Sequence, residues 1–273
     1  MTEAAIGLRA DESIGSMLRE WRMRRRMSQL DLASDAEISQ RHLSFVESGR
    51  SAPSRDMVLH LAERLDIPLR ERNLLLLAAG YAPSFGERPL TDPSLKPAMA
   101  AVQQVLKGHE PNPALAVDRH WNLVSANAAI QPFMTGIADP SLLEPPVNVL
   151  RLSLHPAGLA PRIVNLGEWR AHLLTKLRRQ NETFGDPILG ALEQELQSYP
   201  GDVSRTRIVH DEGTAIVHPL KIRAVDTVLS LISTITVFGT PVDVTLSELA
   251  IECFFPADEQ TRFALQRLAL ASA

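Results

Sequence analysis

Apolar residues recur at helical spacing through the first 80 positions. Ile14, Met17, Leu18 and Trp21 stand at i, i+3, i+4 and i+7, which predicts a helix with one buried stripe that ends near Arg26. Ser28 can cap a second helix, with Asp31 three residues later completing a weak capping box and Leu32 and Ala33 turned inward. After a four-residue turn, Ser39 caps a third helix, whose Leu43 and Val46 point to the core and which Gly49 stops. Ser54 caps a fourth with Val58, Leu61, Ala62 and Leu65 as its stripe, and a fifth runs from about Leu69 to Ala79 before Gly80. The expectation is one all-α unit of five short helices over residues 13–80, preceded by a flexible N-terminus, residues 1–12.

Residues 81–97 break the pattern with Pro83, Pro89, Pro93 and Pro97 beside Gly86, as a linker would. Beyond them the period shortens. The stretch 113–127 predicts two short strands around a turn, and 214–255 holds three β-branched, apolar segments, TAIVHPLKI, VLSLISTITVF and LSELAIECFF. Between these strand groups lie helical stretches at 165–180, striped by Leu166, Trp169, Leu173, Leu174 and Leu177, and at 187–197. Residues 98–273 therefore predict an α+β domain.

Composition narrows the class further. Of the 273 residues, 45% are hydrophobic and 22% charged, which excludes a disordered or fibrous chain. The longest apolar runs, such as Leu74 to Ala79, fall far short of the roughly 20 residues that cross a bilayer. No secretory signal is visible at the N-terminus, and the lone Cys253 cannot form an internal disulfide, so a reducing cytoplasm is the expected location. Net charge is −4, which does not announce a nucleic-acid binder, but every cation before Lys96 is an arginine. Arg19, Arg22, Arg24, Arg25 and Arg26 crowd the end of the first helix, where phosphate contact and a merely solvated face are equally expected.

The segment MSQLDLASDAEISQRHLSFVESGRSAPS (27–54) has the layout of a helix-turn-helix. That layout places Gln29 at the start of the supporting helix near a phosphate, and Ser39, Gln40, Arg41 and Ser44 at the start and outer face of the helix that enters the major groove. Gln can pair with adenine and Arg with guanine, each good pair giving about 1 to 3 kcal/mol of discrimination. Arg50 and Arg55, with free N–H groups at the start of the second helix, hold the backbone in register. Phe45, an apolar residue beside this polar face, is expected to pack against the fourth helix rather than touch a thymine methyl.

SQxxLA (28–33), IS (38–39) and LSFVESGR (43–50) carry a resemblance to the lambda-repressor-like, XRE-type helix-turn-helix family over residues 13–80. One position departs from that family: Glu37 stands where a glycine usually sits, and a positive φ there costs a side chain on the order of 1 kcal/mol. The longer string 41–83, together with NVLRLSLHPAGLAPRIVNLGEWRAHLLTKLRRQ (148–180) and ELAIECFFPAD (248–258), resembles the MmyB-like regulators. That resemblance implies a transcription factor with a C-terminal PAS-like ligand-binding domain built on an antiparallel sheet. It also implies operator DNA and a small effector as partners, and a homodimer.

A PAS-like fold leaves room for a cavity between sheet and helices. From the strands Leu115, Val117, Leu231, Ile235, Val237, Leu249, Ile251 and Cys253 are nominated to line it, and from the helices Phe133, Trp169, Leu173 and Leu177. So apolar a set implies a fatty-acid-like or otherwise hydrophobic effector, with His155, Arg162 or His218 fixing a polar head. No metal site is expected, since the histidines lie on separate elements without cysteine partners, and no catalytic or cofactor motif is present. Cys253, alternating with Ile251 and Phe255, reads as a small buried hydrophobe rather than a redox sensor. Two alternatives stand beside the regulator: a protein-interaction adaptor on the same scaffold, and a DNA-binding protein whose second domain only dimerises.

Overall fold

The computed structural model describes residues 13–200, 219–224, 227–239 and 241–271. The expected flexible N-terminus, residues 1–12, and His218 lie outside the described residues. The chain divides into two compact units: Met1–Pro89 with Thr240–Ser247, and Leu90–Gly239 with Glu248–Ala273.

The first unit holds the five expected helices: α1 (Ile14–Arg24), α2 (Gln29–Asp35), α3 (Gln40–Glu47), α4 (Arg55–Arg64) and α5 (Leu69–Ala78). Ser13, Ser28, Ser39 and Ser54 each accept a backbone N–H at the starts of α1 to α4, and Ser28 and Asp31 close a reciprocal capping box. The helices' stripes merge into one core in which Leu18, Leu32, Leu43, Val46, Leu61 and Leu75 are fully buried. Gly49 ends α3 at φ 72°.

The proline-rich stretch is tied down as far as Pro89. Asn73 of α5 accepts from the Ser84 and Phe85 amides through Oδ1 and donates to the Phe85 carbonyl through Nδ2, while the Tyr81 hydroxyl donates to the Pro53 carbonyl. A segment from far along the chain completes this unit. Asp243, only 2% exposed, accepts from Arg88 Nη1 at 2.9 Å and caps the short helix Val244–Ser247 through the Thr245 amide. The Val244 amide donates to the Gly86 carbonyl, and its side chain is fully buried.

The second unit is the expected α+β domain with an antiparallel sheet. Its strands are β1 (Ala114–Val117), β2 (Leu123–Ala126), β3 (Leu220–Ala224), β4 (Thr227–Val237) and β5 (Ala250–Pro256), in the order β2-β1-β5-β4-β3. All four pairings are antiparallel. Numbered on from α5, its helices are α6 (Lys96–Gly108), α7 (Gln131–Met134), α8 (Val149–Leu154), α9 (Leu166–Phe184) and α10 (Pro187–Ser198); α11 is the Val244–Ser247 helix of the first unit, and α12 (Glu259–Ala271) follows β5. Side chains alternate across the sheet, so each strand serves two layers. On one face Val102 and Leu106 of α6 cover Ala114, Ala116, Ile251 and Cys253; on the other Leu115, Leu220, Ile222, Leu231 and Phe254 meet Phe133, Leu150, Trp169 and Leu173.

Candidate DNA-binding face and effector cavity

Two contacts fix α3 against α1. At Gly15 an added Cβ would lie 2.5 Å from the Val46 carbonyl oxygen and 2.6 Å from that of Glu47, so only glycine admits this approach. Two turns on, Arg22 donates through Nε and Nη2 to the two oxygens of Glu47 at 2.7 and 2.9 Å and through Nη1 to the Met27 carbonyl. Gln29 Nε2 donates to the same carboxylate at 2.8 Å. Burial alone would raise the Glu47 carboxyl, but hydrogen bonds from Arg22 and Gln29 and the guanidinium charge outweigh it and hold the group below its ordinary 4.5. Neither Arg22 nor Glu47 was singled out from the sequence, because a member of an arginine run gives no sign that it points inward.

Gln40 and Arg41 are exposed on the first turn of α3, and Ser44 is half-buried one turn on. Ser39 is engaged as the cap of that helix, its Oγ accepting from the His42 amide at 3.1 Å. Phe45 stands outside the helical core, half-buried, with the Arg41 guanidinium 5.3 Å and that of Arg50 5.8 Å from its ring centre. Two cations of the exposed face thus flank its ring. Arg50 is itself exposed, while Arg55 donates to the Ser84 hydroxyl at 2.5 Å. Within the arginine run, Arg25 donates to the carbonyls of Leu65 and Asp66 beyond α4, and Arg24 pairs with Glu20. Arg22 and Arg25 of that run therefore tie α1 to α3 and to the end of α4. Glu37 adopts φ 53°, the left-handed conformation expected of this turn.

In the second unit an apolar cavity of about 90 Å³ lies between the inner sheet face and the helices, several times the space of about 10 to 15 Å³ that admits one water. Every strand contributes: Leu115 from β1, Leu123 from β2, Leu220 and Ile222 from β3, Leu231 from β4, Glu252 and Phe254 from β5. Phe133 and Met134 of α7, Val149, Leu150, Leu152 and Ser153 of α8, and Trp169 and Leu173 of α9 close it. Leu115, Phe133, Trp169, Leu173 and Leu231 are thus brought together at one void.

The other nominated residues stand elsewhere. Val117 and Leu177 are buried in the same core without reaching the void, and Leu249 is buried just before β5. Ile251 and Cys253 face α6 on the opposite side of the sheet. Ile235 and Val237 lie on the outer half of β4, 42% and 62% exposed. His155 accepts from the Ala157 amide through Nδ1 and packs edge-on to Tyr199. Arg162 donates to the carbonyls of Pro132, Phe133, Thr135 and Arg223, a latch between α7 and β3. The polar groups that do reach the cavity, Ser153 and Glu252, went unnamed; Ser153 Oγ accepts from Trp169 Nε1 at 3.0 Å. Among the described residues no group of three or more His, Cys, Asp or Glu side chains is placed to hold a metal ion, and no helix is long and apolar enough to cross a membrane.

Comparison with known families agrees with both halves. Residues 18–72 match the helix-turn-helix family, and residues 98–268 match the MmyB-like transcription regulator ligand binding domain. Both are regulator-type families without enzymatic chemistry. No curated protein was found to match the chain. The second family match takes in more than half of the sequence, and the chain accordingly belongs to the MmyB-like transcription regulators, DNA-binding proteins that carry a ligand-binding domain.

Proposed function

We propose that this chain is a homodimeric, sequence-specific regulator whose α+β unit takes up a small, mostly apolar effector. The observation that carries the reading is the cavity. A unit serving only to dimerise has no use for a void bordered by all five strands, since an empty apolar space costs packing contacts that a filled core would keep. Paired α3 helices on a two-fold axis read half-sites about 34 Å apart, with Gln40, Arg41 and Ser44 toward the bases and Gln29, Ser39, Arg50 and Arg55 toward the backbone. Effector binding alters operator affinity to the extent that it favours one arrangement of the dimer over another.

Native mass spectrometry of the untagged protein tests this together with DNA binding at increasing salt. A dimer carrying a discrete apolar mass, whose release changes affinity for a selected operator, is the expected outcome. A bare dimer whose operator affinity ignores added small apolar molecules would return the second unit to a dimerisation platform. Partner binding insensitive to salt and to DNA sequence would favour the adaptor.

A further inference from the structure

Several arginines of the helical unit make their hydrogen bonds inside the protein. Arg22 is fixed by Glu47, Arg24 by Glu20, Arg25 by the carbonyls of Leu65 and Asp66, and Arg55 by Ser84. Arg41 and Arg50 differ. Both are exposed, and among the described residues neither guanidinium makes a hydrogen bond or an ion pair. What each has instead is the ring of Phe45, whose centre lies 5.3 Å from the Arg41 guanidinium and 5.8 Å from that of Arg50.

The chain sets this arrangement locally. Arg41 and Phe45 stand at i and i+4 of α3, neighbours on one helix face. Past Gly49 the Arg50 amide donates to the Phe45 carbonyl at 2.8 Å and the Ser51 amide to the same oxygen at 3.1 Å. The backbone that carries Arg50 is therefore held against the residue whose ring meets its side chain. A ring attracts a guanidinium through its charge and takes up none of the N–H groups that pair with a guanine edge or a phosphate. A long side chain loses rotamer freedom when it docks, and one already held over a ring loses less.

We infer that Phe45 is a positioning residue of the DNA-binding face: its ring holds the guanidiniums of Arg41 and Arg50 in place for bases and backbone while leaving their donors free. This rests on the reading of those two arginines as DNA contacts. One ring then serves a base reader and a backbone anchor together, so its loss is felt in sequence discrimination as well as in affinity.

The test uses the full chain, a duplex that the wild type selects from random DNA, and a scrambled duplex of the same composition, in anisotropy titrations at low salt. Each guanidinium–ring pair at an exposed site corresponds to about two- to fivefold in affinity, so Phe45→Leu, which keeps apolar bulk and removes the ring, is expected to weaken binding to the selected duplex about fivefold. The ratio of selected to scrambled affinity falls with it. Phe45→Tyr keeps the ring and stays within about twofold of the wild type on both duplexes. In an Arg41→Ala/Arg50→Ala protein the same Phe45→Leu exchange costs less than about twofold. Three results overturn the inference and leave the arginine reading standing: wild-type affinity and discrimination in Phe45→Leu, equal losses on both duplexes, or a tyrosine variant as weak as the leucine one. A loss undiminished in the double-alanine protein overturns it too, since the ring would then meet DNA itself. If Arg41→Ala and Arg50→Ala each bind both duplexes as the wild type does, the arginine reading falls and the inference with it.

Discussion

Glu47, the last residue of α3, holds Arg22 of α1 by two parallel hydrogen bonds of 2.7 and 2.9 Å, with both side chains at least nine-tenths buried. The pair connects the helix that presents Gln40 and Arg41 to the helix beneath it. Removing one partner leaves the other charge buried and unmatched, so Glu47→Ala is expected to cost about 3 to 5 kcal/mol in chemical denaturation and to weaken DNA binding with it. The pH dependence follows in sign. Because Glu47 is held below its ordinary 4.5, its contribution is complete above that value and is lost as pH falls through the lowered folded value. The stability gap between the wild type and Glu47→Gln should therefore close at acid pH, and a gap that widens there would contradict the account.

Glu37 occupies φ 53° with a side chain on it. Glu37→Gly removes the steric cost of the left-handed conformation but adds freedom to the unfolded chain, leaving a net stabilisation of up to about 1 kcal/mol. Thermal unfolding of the two proteins in parallel checks this. Destabilisation would mean that the glutamate makes a contact worth more than the strain it bears.

Arg41 and Arg50 both flank Phe45, yet they stand at opposite ends of α3. Arg41→Ala is expected to cost about 1 to 3 kcal/mol of operator affinity and to spare nonspecific DNA. Arg50→Ala should weaken binding to both and lower the salt slope by about one. Anisotropy titrations on operator and scrambled duplexes at two salt concentrations separate these patterns. Equal losses on both duplexes for the two variants would remove base reading from Arg41.

Cys253 is the one cysteine of the chain, so its thiol chemistry is free of background. Burial, and then the neighbouring charge of Glu252, push it above its ordinary 9.0. Near pH 8 a chromogenic disulfide should label the native protein at least about a hundredfold more slowly than it labels free cysteine, with full reactivity regained in denaturant. Since the thiol faces α6 and not the cavity, saturating the cavity should not change that rate. Fast labelling of the native protein would reopen a redox role.

The helical unit was readable because its signals are local: a serine before each of α2, α3 and α4 and a glycine after α3 announce their helices within a few residues. The sheet was readable as strands but not as faces. In β5 the run Ile251 to Phe254 is buried on both sides, and apolar alternation cannot say which side is which. Ile251 and Cys253 look like a natural pocket pair only if the other face meets solvent. It meets α6, a helix not anticipated from the pattern, and a one-residue change of phase brings Glu252 and Phe254 to the cavity instead. Arg22 was hidden for a related reason: its partner lies 25 residues away, and nothing in a run of arginines marks the one that turns inward.

Asp243 and Val244 belong by sequence to the C-terminal half of the chain and by contact to the helical unit. The backbone thus enters that unit twice, and the two units are joined by three covalent junctions, after Pro89, Gly239 and Ser247. A protein severed after Pro89 would lose a part of its own DNA-binding module: the Arg88 guanidinium and the Gly86 carbonyl would be left without partners, and the surface that Val244 seals would be wet. The core of the five helices closes within residues 14–81, so what such a cut removes is the cover that the β4–β5 connection lays over the 86–88 stretch, and a transplanted module keeps that cover only if the connection travels with it.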